Sequence, residues 1–261
     1  MASTNYSKTI CLATDSESSR MDSCIQVITA ALARQPVLRR LSSPKRRQFA
    51  FDLAFIALGC RTAWLVDVVT VVNQEQVFEE LLSSLRAVSA EFTRIKHIFE
   101  STSSQSFFVN LDQLEMQNLK DIRFIFLGET PQRVAEPPVD VQSALLHLKA
   151  TSSFPGDLGP LTSIPLAALL LGYPVAYIVA DTTSVFLSHT PLDVYLCSIS
   201  SPKWADPHTM IKFSCPAGLS EQLSPLQVTA QLKNRFQQRI TDLGLELSVL
   251  HHVETLDRVA L

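Results

Sequence analysis

Pro160–Ser200 reads PLTSIPLAALLLGYPVAYIVADTTSVFLSHTPLDVYLCSIS, and its punctuation decides between a membrane span and a buried helix followed by strands. No Asp, Glu, Lys or Arg occurs from Leu158 to Ala180, and about 20 apolar residues would be enough to cross a bilayer. Gly172 and Pro174 argue against that. Ser163 is placed to cap a helix carrying Leu166, Ala167, Leu169, Leu170 and Leu171, and the Gly-Tyr-Pro sequence stops it. Val175 to Ala180 then reads as a strand, Asp181 to Ser184 as a polar turn, Val185 to Leu187 as a second short strand and Leu192 to Ile199 as a third. This order predicts a meander. Side chains alternate along a strand, so Leu192, Val194 and Leu196 are expected on the face opposite Asp193, Tyr195 and Cys197, with only one face needing to be wet.

Upstream, Met21, Ile25, Ile28 and Leu32 recur at helical spacing until Pro36, and residues 1–19 are polar enough to expect a flexible tail. Phe49, Phe51, Leu53 and Phe55 alternate with Ala50, Asp52 and Ala54, which favours a strand, although Phe49, Leu53 and Ile56 also fit a helix. Ala63 to Val72 is valine-rich and nearly all apolar, as expected of a strand buried on both faces. Asn73 and Gln76 begin a helix whose stripe Val77, Leu81, Leu85 and Val88 is prolonged by Phe92, Ile95 and Phe99. Phe107 to Leu111 and Ile122 to Leu127 read as short strands, and Pro137 and Pro138 precede a helix carrying Val141, Leu145 and Leu148. Downstream, Met210 to Cys215 adds a strand, and Ser224, Pro225 and Gln227 start a helix with Val228, Leu232, Phe236 and Ile240 buried and Lys233, Arg235 and Arg239 wet. Gly244 stops it before a strand at Leu245 to Val249. The pattern predicts one α/β domain over residues 20–261, a mixed sheet flanked by helices.

With 46% hydrophobic and 18% charged residues, disorder of the whole chain is excluded, and a net charge of -3 gives no global pull toward nucleic acid or an anionic membrane. The first twenty residues lack the basic and apolar regions of a secretory signal, and the five cysteines form no CxxC pair, so a cytoplasmic or nuclear protein with reduced thiols is expected. The one strong charge run places Arg34, Arg39, Arg40, Lys45, Arg46 and Arg47 around Leu41, Ser42, Ser43 and Pro44. Arg39, Arg40, Arg46 and Arg47 are candidate contacts for an anionic partner, most simply a protein, and RRLS makes Ser42 a candidate phospho-acceptor for a basophilic kinase.

Catalytic signatures are absent. The seven glycines form no GxGxxG or Walker A loop, and neither GxSxG nor HExxH occurs. His251 and His252, adjacent on a strand, would face opposite ways, which is poor geometry for one metal. Cys60 has no nameable base. One enzymatic alternative survives. If the strands near Asp67, Asp112 and Glu129 are parallel neighbours, their carboxylates can hold Mg²⁺ for metal-assisted hydrolysis of a phosphorylated small molecule or nucleotide.

At LLLGYPVAY, Leu169–Tyr177, and TPLDVYLCS, Thr190–Ser198, the chain resembles an uncharacterised animal family typified by the chromosome 1 open reading frame 74 protein, a domain of unknown function. The resemblance implies no activity, cofactor or site residue. Elimination therefore leads to a non-enzymatic interaction or regulatory protein that acts through residues 34–47.

Overall fold

A computed structural model describes residues 15–156, 158–179 and 187–255, with side chains from Arg20 onward. In chain order the elements are α1 (Asp15–Arg34), a 3-10 turn (Leu38–Arg40), α2 (Ser43–Ala57), β1 (Ala63–Leu65), α3 (Gln74–Arg86), β2 (Ile95–Glu100), β3 (Gln105–Asn110) and α4 (Leu111–Glu115). There follow β4 (Arg123–Leu127), β5 (Pro131–Val134), α5 (Val139–Thr151), α6 (Pro160–Leu171), β6 (Val175–Val179), β7 (Pro191–Ser200), β8 (His208–Pro216), α7 (Pro225–Asp242) and β9 (Glu246–Thr255). The fold is α/β. Its strands do not share one mixed sheet, however. Among the described residues they form three sheets, ordered β1-β3-β2, β5-β4-β6 and β8-β7-β9. Only the middle one is mixed: β4 pairs antiparallel with β5 and parallel with β6.

The stretch expected as a strand at Phe49 to Phe55 is the second half of α2. Every residue from Phe49 to Ala57 is buried, so a period of two and a period of 3.6 are equally satisfied and the pattern loses its direction. The reason lies in what surrounds the helix. Phe49 meets Trp64 of β1 and Phe108 of β3, while Phe51 packs on Trp204 and stacks with Phe55 against His208 of β8. α2 is thus wedged between the first and third sheets, with a hydrophobic partner on every side.

In the central stretch, the N-cap of α6 is Gly159 rather than the expected Ser163, and its C-cap is Gly172 in the left-handed conformation, φ +82°. Gly is the residue that adopts this geometry without strain. No meander follows. β6 pairs with β4, whereas β7 lies between β8 and β9 in another sheet. The turn expected at 181–184 and most of the strand expected at 185–187 lie outside the described residues; Leu187 itself sits in a turn with φ +60°. β7 also corrects the expectation of a wet face: Leu192, Asp193, Val194, Tyr195, Cys197 and Ile199 are all buried. This is the doubly covered strand that the sequence pattern assigned to Ala63–Val72. The latter yields only the three-residue edge strand β1 and then a loop.

Two more boundaries move. The stripe prolonged through Phe99 stops at Arg86, because a 3-10 turn at Ala90–Phe92 redirects the chain and Ile95 and Phe99 belong to β2. α1 begins at Asp15, inside the segment expected to be a flexible tail; the rest of that tail lies outside the described residues. α5 and α6 pack with Phe107, Val109, Phe124 and Ala176 into a second core, separate from the larger one around α2, α7 and the third sheet.

Candidate functional site

The basic segment spans the 3-10 turn and the start of α2. Ser42 is the N-cap of α2, exposed and making no capping hydrogen bond through its side chain, with Pro44 in the first turn. Arg39, Arg40 and Lys45 are exposed and Arg46 is half-buried; among the described residues none of the four forms an ion pair. Arg47 differs. Its guanidinium lies 5.1 Å from the Phe51 ring centre, donates to the Asp206 carbonyl at 3.2 Å and is 3.9 Å from the Asp206 carboxylate. The sequence-predicted residues are therefore brought together, but one of the four arginines is tied into the fold.

The three carboxylates are not brought together. β1 and β3 run antiparallel, with Leu65 opposite Phe107, so Asp67 follows one end of the first sheet while Asp112, beyond Asn110, follows the other, about 20 Å away along the strands. Glu129 is exposed at the turn between β4 and β5, in a different sheet. The parallel arrangement that a shared cation requires is absent. Asp112 instead accepts from Arg94 Nε at 2.7 Å. Partial burial raises the Asp67 carboxyl above its ordinary range, with the Asp52 charge adding to the effect and Arg61 and Trp64 opposing it. Among the described residues no group of three His, Cys, Asp or Glu side chains is placed to hold a metal ion.

A polar cleft not foreseen from the sequence opens where the ends of α2 and α6 meet α4 and α7, with a volume of about 210 Å³. Arg61 and Thr62 enter from the turn after α2, Gln113 and Gln117 from α4 and the residues following it, and Arg235 and Arg239 from α7. The two α7 arginines had been expected on the wet side with Lys233, but both are half-buried while Lys233 is exposed. Their spacing of four residues puts them on one helical face, and that was the available signal. Arg239 Nη1 donates to the Gly59 carbonyl at 2.8 Å and to Gln113 Oε1; Arg235 Nη2 donates to Gln117 Oε1 at 3.2 Å. Gly172 lets Arg235 lie flat against the chain: a Cβ there would be 3.4 Å from the guanidinium carbon. Burial lowers the Arg235 pKa, with Asp121 opposing the shift and Arg239 adding to it. The Cys60 thiol, also lining the cleft, is pushed up to about 12 by burial, so it is no thiolate nucleophile at neutral pH.

Behind the cleft, Arg61 is 6% exposed and reaches Asp52 Oδ1 at 3.4 Å, while its Nε has no hydrogen-bond partner. Asp52 also accepts from His208 Nε2 at 3.1 Å. A second buried acid, Asp193 of β7, accepts from His251 Nε2 at 2.7 Å and from Ser220 Oγ at 2.9 Å. Ser220 contacts the carboxylate rather than the imidazole, so this is not the order of a nucleophilic triad, in which the base joins the other two groups.

A family model described as a domain of unknown function, DUF4504, matches residues 69–256. The chain belongs to that family. The DUF4504 match takes in Gln113, Gln117, Arg235 and Arg239 of the cleft, and it begins after Asp52, Arg61 and the whole basic segment. No curated protein and no solved structure matches the chain. Among the described residues no helix of this DUF4504 member is long and apolar enough to cross a membrane.

Proposed function

We propose that the protein is a non-enzymatic interaction or regulatory protein that binds an acidic protein surface through the basic segment 34–47. One observation carries this reading: Arg39, Arg40, Lys45 and Arg46 flank an exposed, uncapped Ser42 and have no carboxylate partner among the described residues. Unpaired cations at a surface steer and hold an acidic partner at little cost to the fold. Phosphate on Ser42 would add roughly two negative charges at the N-terminus of α2, where the helix dipole favours an anion. It would draw the neighbouring arginines inward and weaken their hold on the partner, so Ser42 acts as an off-switch. We also place the chain, on Leu169–Tyr177 and Thr190–Ser198, with the animal proteins typified by chromosome 1 open reading frame 74. Cytoplasm or nucleus is the compartment in which a kinase would reach Ser42. The alternative, a metal-dependent hydrolase, has no observation in its favour, since Asp67, Asp112 and Glu129 stand apart.

The test uses fluorescence anisotropy with a labelled ten-residue polyglutamate peptide and, in parallel, a short DNA duplex. The expected result is salt-dependent peptide binding that falls about tenfold on replacing Arg39, Arg40 and Arg46 with alanine and falls similarly when Ser42 is phosphorylated. Peptide affinity unchanged by both would sink the proposal. Tighter binding to the duplex would move the reading to nucleic acid.

A further inference from the structure

The arginine cleft is a second surface, remote in its chemistry from the basic segment. Each guanidinium carries about five N–H donors, and three of them converge here. The hydrogen bonds made by Arg61, Arg235 and Arg239 reach Asp52, Gln117, Gly59 and Gln113, which leaves most of those donors without a protein acceptor among the described residues. Arg61 also lines the cleft, but it is nine-tenths buried, with its Nη1 on Asp52 and its Nε unpartnered. That Nε is itself sealed from solvent, so an acceptor entering the space meets the remaining donors of the half-buried Arg235 and Arg239 instead.

The charges narrow the class. Asp52 offsets Arg61 from behind, and among the described residues Asp121 is the one carboxylate lining the cleft, so two α7 cations and one rim anion face the space. Guanidinium forks match the oxygens of a phosphoryl group bidentately, and several of them together suit a group with three terminal oxygens better than a single carboxylate. At about 210 Å³ the cavity is smaller than the roughly 300–1,000 Å³ of sites for drug-sized ligands, leaving room for a phosphoryl group and a few further heavy atoms. Met116, Leu171 and Phe236 supply an apolar wall for those atoms. With the Cys60 thiol protonated and no base beside it among the described residues, the cleft is read as a binding site rather than a site of group transfer.

We propose that the cleft binds a small phosphate monoester, its phosphoryl oxygens held by Arg235 and Arg239 with Arg61 in the wall behind them, and its orientation set by Gln113, Gln117 and Thr62. Asp121 at the rim opposes the bound charge and sets an upper limit on affinity. This site is separate from the acidic-protein surface and stands whether or not the basic segment binds anything.

The experiment titrates the full chain with glycerol phosphate and with inorganic phosphate at constant ionic strength, read by calorimetry and by phosphorus NMR line width. Saturable binding is expected, tighter for the ester than for inorganic phosphate. Replacing Arg235 or Arg239 with glutamine should weaken it about tenfold or more. Arg239 also holds the Gly59 carbonyl, so a second variant guards against misfolding: Asp121→Asn changes an exposed side chain and should tighten ester binding several-fold through removal of the opposing charge. Absence of saturation with both probes overturns the site. Wild-type affinity in both Arg235→Gln and Asp121→Asn does the same, and an ester bound no better than inorganic phosphate overturns the assignment to a monoester.

Discussion

The start of α2 and its second half hold charges in opposite circumstances. Around its start Arg39, Arg40, Lys45 and Arg46 meet water; about two and a half turns into the helix, Asp52 is 4% exposed and shared between Arg61 and His208. Screening makes an exposed charge nearly irrelevant to folding and leaves it free for a partner. Burial reverses both properties: the charge becomes costly to strand and unavailable to anything outside. A charge run in the sequence therefore marks a surface, whereas a lone Asp between phenylalanines marks a structural commitment.

The sharpest way to break this contrast is Asp52→Ala. Removing the acid leaves Arg61 buried without its counter-charge and takes from His208 its hydrogen-bond partner, and the expected loss is about 3–5 kcal/mol in urea unfolding at neutral pH. A loss below about 1 kcal/mol would mean that the network is hydrated and the contrast false.

A neutral buried group extends the comparison. His97 lies between Phe78 and Phe108, and its Nε2 is 2.9 Å from Ser106 Oγ; because Ser106 itself donates to Gln74 Oε1, the imidazole must be the donor. Burial pushes its pKa from 6.5 down to about 4, with Glu79 opposing the shift. The folded state thus refuses a proton that the unfolded chain accepts below pH 6.5. The stability it contributes is complete above that value and is lost as pH falls toward about 4, by about 3 kcal/mol in all. In His97→Gln, which keeps a donor for Ser106, the acid limb of the stability curve should flatten; an unchanged limb would place the titration elsewhere.

The smallest effects come from the exposed end. Arg47→Ala should lose about 0.5–1 kcal/mol, since its guanidinium covers the Phe51 ring. Arg39→Ala and Arg40→Ala should leave the unfolding midpoint where it is while weakening the acidic peptide. A midpoint shift as large as that of Arg47→Ala would show that they too are tied into the fold.

Much of the fold was legible where one period dominates. α7 follows Ser224 and Pro225 as the start signals require, and β3, β4, β8 and α5 lie close to where alternation or helical spacing puts them. Legibility failed where burial is complete. α2 hides its period because each of its faces is covered, and β7 shows that alternation between Leu and Tyr or Cys does not imply a wet face when helices and a second layer enclose the sheet. Ala63–Val72 misled for the converse reason: valines on a loop resemble valines in a central strand. Of the candidate sites, the basic segment was visible because it is contiguous. The cleft was not, since Arg61, Gln117 and Arg235 meet only through the packing of α4, α6 and α7.

The position of β7 has a bearing on the order of assembly. Its partner β8 follows after a short connection, but β9 arrives only after residues 201–245, which include β8 and α7. Closing the near contact costs less chain entropy than closing the far one, so the β7–β8 hairpin should form first and wait with one edge open. During that interval Leu192, Val194 and Ile199 sit on a strand able to pair with another chain, and the chain's vulnerability to aggregation is concentrated there. Pulse-labelling hydrogen exchange during refolding should show the β7–β8 amides protected before those of β9, and simultaneous protection would exclude the sequence of events. The last strand would then act as a latch, turning an adhesive ribbon into the sheltered centre of its sheet.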